Sequence, residues 1–480
     1  MRSDSWFLRA ALVHRMNGHL IFSLLRKQFR KNMRFRSSIA VAVSCTFAVL
    51  AWSSSLQLKD ASATQSSTTD LNQLLRDRHY LELDRALASK PNLSVSDRIF
   101  FEGVMANRRN RVADSIKMLE PLVPTLSTAD KDRAVVTLST LADDYEKSFR
   151  YSDAANTYEE LDRRFGLVMD ENERQRVSRE AARWSLLRGS PPQSVEVKQS
   201  FTVPTRRNRV GLPEVYVDFG RFRESLILDT GANLSAISFS LAQRLGLKLS
   251  KASATSNGIA GRRMTIRTAV IPELRLGEAK LRNVAVIVID DKDMIVPSLH
   301  YRIPGSIGFP VLSALGRITF FADGRFGVGS NPATGVPAVE ENLFLQRLTP
   351  VVTAEIGGAE RLFTIDTGSA GTFFTVQYYL DHRSYFASQT VGNFELAGAG
   401  GVRTYPSYLT PEVTIKMGGA CVSANQLPVI AQDRGQSDDK FYGNIGQLVL
   451  GQFKSYTFDF QKMSFSAEGD SCKPAALPQP

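Results

Sequence analysis

Leu226-Ile-Leu-Asp-Thr-Gly231 and Phe363-Thr-Ile-Asp-Thr-Gly368 are two copies of one phrase, an apolar run ending on Asp-Thr-Gly, set 137 residues apart. The run before each copy keeps that offset, since Val215-Tyr-Val-Asp-Phe-Gly220 answers to Val352-Thr-Ala-Glu-Ile-Gly357. Further on, Gly305-Ser-Ile-Gly308, with Val311-Leu312, Ile318 and Phe320 behind it, recurs at offset 138. The second copy is Gly443-Asn-Ile-Gly446 with Val449-Leu450, Tyr456 and Phe458. Between these marks, Asn257-Gly-Ile-Ala-Gly261 has a counterpart in Gly398-Ala-Gly-Gly401. Three landmarks in one order at one spacing, in a stretch rich in Val, Ile, Phe, Thr and Gly, predict two homologous lobes of short strands and tight turns, 195–335 and 336–480. Asn331-Pro-Ala-Thr-Gly-Val-Pro337 reads as the linker between them.

Toward the N-terminus the pattern changes. From about Asp70 to Gly189 the chain is rich in Leu, Ala, Arg, Glu and Asp, with apolar residues at three- and four-residue spacing, which predicts helices over a domain of 64–194. Leu141-Ala142, Tyr145, Ala154-Ala155, Tyr158 and Leu161 resemble a tetratricopeptide hairpin, and Phe101, Gly103, Ala106, Ile116 and Leu119 resemble a degenerate copy. Such an array can be a plain packing domain or carry a groove for a protein partner. Ser190-Pro-Pro-Gln-Ser194 ends the helical pattern as a linker.

The first 63 residues read as targeting. Residues 1–37 hold nine Arg or Lys against one acid, Asp4, and are followed by an apolar run from Ile39 to Trp52 and the small residues Ala61-Ser62-Ala63. That order predicts export to a periplasmic or extracellular space. Retention as an uncleaved membrane anchor over residues 38–58 is the alternative, and Met33 is a second possible start. The same count disposes of a nucleic-acid reading. Most of the net charge of +11 sits in this segment, leaving the remaining 443 residues close to neutral, without the clustered basic surface that phosphate backbones require.

At 480 residues, 43% apolar and 22% charged, the chain has ordinary globular composition and exceeds one hydrophobic core. Of three cysteines, Cys45 lies in the apolar run, so Cys421 and Cys472 remain, to form one disulfide or stay as two thiols. The five histidines are scattered and no Cys/His cluster exists, so no metal site is expected. No Gly-x-Ser-x-Gly elbow or phosphate-binding Gly-rich loop is present either.

Each lobe resembles half of a retropepsin-like or pepsin-like aspartic protease, over roughly residues 212–470. Leu-Asp-Thr-Gly-Ala-Asn233 is similar to the retroviral pattern and Asp366-Thr-Gly-Ser-Ala370 to the pepsin pattern. The resemblance implies a multidomain chain, an all-α helical-hairpin repeat domain followed by a mostly β bilobed acid-protease fold. It implies Asp229 and Asp366 as a catalytic dyad, with Thr230 and Thr367 cross-linking their loops. Gly231, Gly368 and Ser369 would position the carboxyls. Gly258, Gly261, Gly398, Gly400 and Gly401 are flap candidates, and Gly308 and Gly446 allow close packing behind the catalytic loops. No Tyr follows the first flap turn, while Tyr405 follows the second, which favours retroviral-type flaps.

The chemistry can be argued from the residues alone. Amide hydrolysis needs a general base for water and a proton for the leaving amine, and a carboxylate beside a carboxylic acid supplies both. Two close carboxyls share one proton and titrate as a pair. The Ser369 hydroxyl could favour the ionised form of Asp366, which Ala232 cannot do for Asp229, so Asp229 is the expected proton holder. The expectation is a monomeric endopeptidase acting on peptide or protein substrates without metal or organic cofactor. Its alternative is a non-catalytic scaffold that keeps the fold and binds a peptide or a partner.

Overall fold

The computed structural model describes residues 68, 70–89, 92–258, 263–329 and 340–469. The expected targeting segment 1–63 with its possible anchor 38–58, Gly261, the linker 331–337 and Cys472 lie outside the described residues. No helix among the described residues is long and apolar enough to cross a membrane.

Six helices follow a short helical stretch at 70–76: α1 (Tyr80–Ala88), α2 (Val95–Arg108), α3 (Val112–Leu119), α4 (Lys131–Lys147), α5 (Tyr151–Phe165) and α6 (Glu171–Ser185). Their starts carry side-chain caps where orphan N–H groups need acceptors. Ser94, Asp130 and Asp170 each accept the backbone N–H three residues on. Helix α2 pairs with α3, α4 with α5 and α5 with α6. Small residues set the first approach, because a Cβ on Gly103 would lie 2.7 Å from Leu119 Cδ2. Ala142, Ala154 and Ala155 are fully buried in the second pair, with Tyr158 and Leu161 filling the space beside them. Helical pairing at the predicted positions is therefore present.

Beyond Ser185 the chain is mostly β. In the first lobe a hairpin, Pro213–Asp218 with Arg223–Leu228, delivers the chain to Asp229. Ser306–Ile307 runs parallel to Arg223–Leu228 and antiparallel to Ser235–Ser238, filling the gap between them. The second lobe repeats this. Thr349–Ile356 with Ala359–Ile365 delivers Asp366, and Gly443–Ile445 runs parallel to Ala359–Ile365 and antiparallel to Phe373–Phe374. Each delivery strand is buried at its end, Leu226–Leu228 and Phe363–Ile365, because it is flanked on both sides.

Between the lobes lies a shared sheet, in the order Ser464–Glu468, Ser455–Asp459, Arg317–Phe321, Arg325–Val328, Phe201–Arg207. Its middle pair is antiparallel with Thr319 opposite Thr457, and their hydroxyls are 2.8 Å apart, on the local twofold that relates the lobes. The predicted boundary at 335/336 thus follows the chain and not the sheets, since strands from the second half extend the first half's sheet.

The helical part docks on the second lobe. Arg109, the C-cap residue of α2, is buried. One Nη donates to the carbonyls of Glu341 (3.1 Å) and Leu343 (3.2 Å), the other pairs with Asp84 at 2.6 Å, and the guanidinium lies 3.8 Å above the Phe344 ring. Tyr80 packs on Phe344 and hydrogen-bonds Gln346.

Candidate active site

The two Asp-Thr-Gly loops meet. Asp229 N–H donates to Ile307 O (3.0 Å) and Asp366 N–H to Ile445 O (2.9 Å), so each acid is pinned by the strand inserted beside it. Across the local twofold the threonines interlock. Thr230 N–H donates to Thr367 Oγ1 and Thr367 N–H to Thr230 Oγ1, both at 3.0 Å. Thr230 Oγ1 donates to Ile365 O at 3.1 Å and Thr367 Oγ1 to Leu228 O at 2.7 Å. Both threonines are fully buried, so all four bonds lie away from water and fix the register of one loop against the other.

The carboxyls are held just above this cross-link. Gly231 N–H donates to Asp229 Oδ1 (3.0 Å) and Gly368 N–H to Asp366 Oδ1 (2.8 Å). The glycines are required by the opposite acid. A Cβ on Gly231 would lie 2.5 Å from Asp366 Cγ, and one on Gly368 would lie 2.4 Å from Asp229 Cγ. Asp229 and Asp366 are hydrogen-bonded to each other, and each keeps a partly accessible edge.

Burial pushes both carboxyls above the usual range, Asp229 the further. For Asp229 the charge of Asp366 adds to desolvation, against N–H donors from Gly231 and Ala232. For Asp366 desolvation is opposed by the N–H groups of Gly368, Gly231 and Ser369 and by the hydrogen bond from Asp229. The Ser369 hydroxyl does not act on Asp366 in the way the sequence suggested. Ser369 Oγ donates to Gly371 O at 2.9 Å, and it is the residue's backbone N–H that serves Asp366.

The supporting glycines sit where the repeat placed them. A Cβ on Gly308 would lie 2.6 Å from the Leu234 carbonyl carbon, and one on Gly446 would lie 2.0 Å from Gly371 O. Sequence reasoning missed what holds them. Gly308 N–H donates to Ser235 Oγ (3.0 Å) and Gly446 N–H to Thr372 Oγ1 (2.9 Å). Ser235 and Thr372 each stand six residues past a dyad acid, so the 137-residue offset already contained them. Gln447 was missed as well. Its Nε2 donates to Thr367 O at 2.9 Å, while Arg207 from the first lobe hydrogen-bonds its Oε1.

Two hairpins extend toward one another. The first is Ala254–Asn257 with Arg263–Leu276, and the second is Gly392–Gly398 with Gly401–Leu409. Gly258 in the first turn packs so tightly on Ala399 of the second that a Cβ would lie 2.2 Å from its carbonyl oxygen. Gly400, at φ +88°, turns the second tip and donates its N–H to Asp293 O of the first lobe at 3.0 Å. Gly398 and Gly401 are paired opposite each other at its base. Tyr405 is buried against Phe373, Leu396 and Ile430, a core residue below the hairpin. Cys421 is disulfide-bonded.

Residues 214–311 match the aspartyl protease family, which covers the first lobe from its delivery hairpin to the strand behind Asp229. Among solved structures, a retropepsin-like aspartic protease from Rickettsia conorii is similar at 14% identity, over 29% of this chain and 94% of that one, with a TM-score of 0.20. No curated protein matches. The family match thus covers the first lobe, whose strand arrangement the second lobe repeats.

Proposed function

We propose that the protein is an aspartic endopeptidase whose single catalytic dyad is Asp229 with Asp366, both from one chain. The observation that carries this reading is the interlocked Thr230–Thr367 pair, which brings two acids 137 residues apart into one hydrogen-bonded site. A structural role explains it poorly, because two adjoining buried carboxyls cost stability that an apolar pair would not. In the reaction, ionised Asp366 takes a proton from a water as it attacks the peptide carbonyl. Protonated Asp229 hydrogen-bonds the oxygen on which charge develops, and the proton gained by Asp366 then passes to the leaving amine. The facing hairpins cover an extended peptide above the dyad and limit water.

Hydrolysis of a random peptide library by the wild type, D229N and D366N tests this. Cleavage by the wild type and none by either variant is expected. Equal turnover by all three would end the peptidase reading, and peptide binding without cleavage by the wild type would leave a scaffold. We propose export as well. A disulfide at Cys421 supports it, because such bonds persist in oxidising compartments, and Cys472 is the proposed partner.

A further inference from the structure

Arg347 lies at the tip of the hairpin formed by Leu343–Gln346 and Thr349–Ile356, and its backbone is left-handed at φ +57°. The two-residue loop of the hairpin calls for that conformation at its first position, so the turn sets the backbone and aims the side chain at the helical domain. Arg347 Nη1 donates to Glu180 Oε1 at 3.0 Å and Nη2 pairs with Glu180 Oε2 at 2.8 Å, a two-pronged bond to α6. Nη2 also reaches Glu146 Oε1 of α4 at 3.4 Å, and Tyr158 Oη of α5 donates to that same oxygen at 3.0 Å. Both glutamates are buried, so α6 and α4 meet on one guanidinium supplied by the β half, with α5 bracing Glu146 through Tyr158.

The same tip has a second contact. Thr349, two residues on, places its Oγ1 3.5 Å from Asn233 Oδ1, in the loop that follows Asp229. The strand that begins at Thr349 pairs along its length with Ala359–Ile365, register Val351 to Thr364 and Val352 to Phe363, and that strand runs into Asp366. One rigid hairpin therefore touches the helical clasp, the loop of one acid and the delivery strand of the other.

We infer that Arg347 is a positioning residue for the dyad, through which the helical domain holds the second lobe in register with the first. The inference rests on the peptidase reading. A buried ion pair is poor evidence of net stabilisation but fixes geometry well, and a displacement of 1 Å remote from the chemistry can cost about 10²-fold in rate. The helical face that carries Glu146 and Glu180 is engaged by the chain's own lobe, and its action on the site runs through that contact.

The test uses R347M, R347K and E180Q in the full chain, with two readouts. For hydrolysis of a cleaved library peptide, R347M and E180Q are expected to lower kcat tenfold to a hundredfold with KM changed less than threefold, and R347K to recover part of the loss. For amide hydrogen exchange, the N–H groups of Thr230 and Thr367 are expected to lose at least tenfold protection in R347M. Those of Phe320 and Phe458 in the shared sheet are expected to keep theirs, which separates loosened loops from global unfolding. Wild-type kcat together with wild-type protection at Thr230 and Thr367 in R347M would overturn the inference. If the wild type cleaves nothing, the exchange measurement still decides it, and the peptidase reading fails separately.

Discussion

Gly231→Ala is a one-carbon change whose effect can be worked from distances. The added Cβ would stand 2.5 Å from Asp366 Cγ and from its Oδ2, where ordinary contact needs about 3.5 Å. Gly231 does not have a positive φ, so the backbone itself would accept alanine, and the whole conflict falls on the opposite carboxyl. Relief requires Asp366 to retreat by about 1 Å, a displacement at the reacting pair that is expected to lower kcat about 100-fold. Overpacking a buried site should cost about 1–3 kcal/mol of stability as well. Gly368→Ala should behave alike, since its Cβ would meet Asp229 Cγ at 2.4 Å. Gly371→Ala, three residues on, meets nothing within 4 Å and serves as the control, expected to retain activity. The assay is initial rate on a library-derived peptide, with circular dichroism and urea unfolding on the same samples. Folded Gly231→Ala with kcat within threefold of wild type would mean that the two acids do not work as an abutting pair.

Thr230→Val keeps the shape but removes the hydroxyl that accepts Thr367 N–H and donates to Ile365 O, leaving two buried polar groups unpaired. Urea unfolding should show a loss of about 2–4 kcal/mol, and a loss below 0.5 kcal/mol would deny the interlock its structural role. Stability should also decline from acid toward neutral pH. Asp144, buried beside Ser115 and Asn107, is pushed up to about 7 by desolvation and Glu146 up to about 8 by the same cause, both above their unfolded values. The native state therefore binds more protons than the unfolded chain between about pH 4 and these raised values, so stability fully present below about pH 4 falls as pH rises and is gone above about 7 for Asp144 and about 8 for Glu146. For Asp144 alone the loss is at most about 4 kcal/mol. Thermal melts of Asp144→Asn between pH 5 and 8 should decline less than those of wild type, and parallel declines would show that Asp144 is not the group involved.

Much of the site could be read from the chain because a duplicated gene product writes its geometry twice. The offset of 137 paired Asp229 with Asp366 and Thr230 with Thr367, and its near repeat paired Gly308 with Gly446. Each role depends on backbone form, which sequence pattern encodes well. Side-chain direction was less legible. Ser369 turns to Gly371 O and Tyr405 turns into an apolar cluster, both matters of packing that no periodicity reports. The shared sheet escaped notice because its central pairing joins residues 138 apart, Thr319 and Thr457, and either strand alone reads as an ordinary edge. An arginine in a polar turn likewise reads as solvated, so nothing at Arg347 announced two buried glutamates on helices that precede it by more than 160 residues.

The strands that close the shared sheet, Ser455–Asp459 and Ser464–Glu468, are made after everything else in the site. During synthesis Asp229 has its own loop complete once residue 307 exists, yet its companion lacks the flanking strand Gly443–Ile445 until residue 445 and the joining sheet until residue 468. A growing chain thus holds one acid in its loop well before the paired site of the proposed peptidase can assemble.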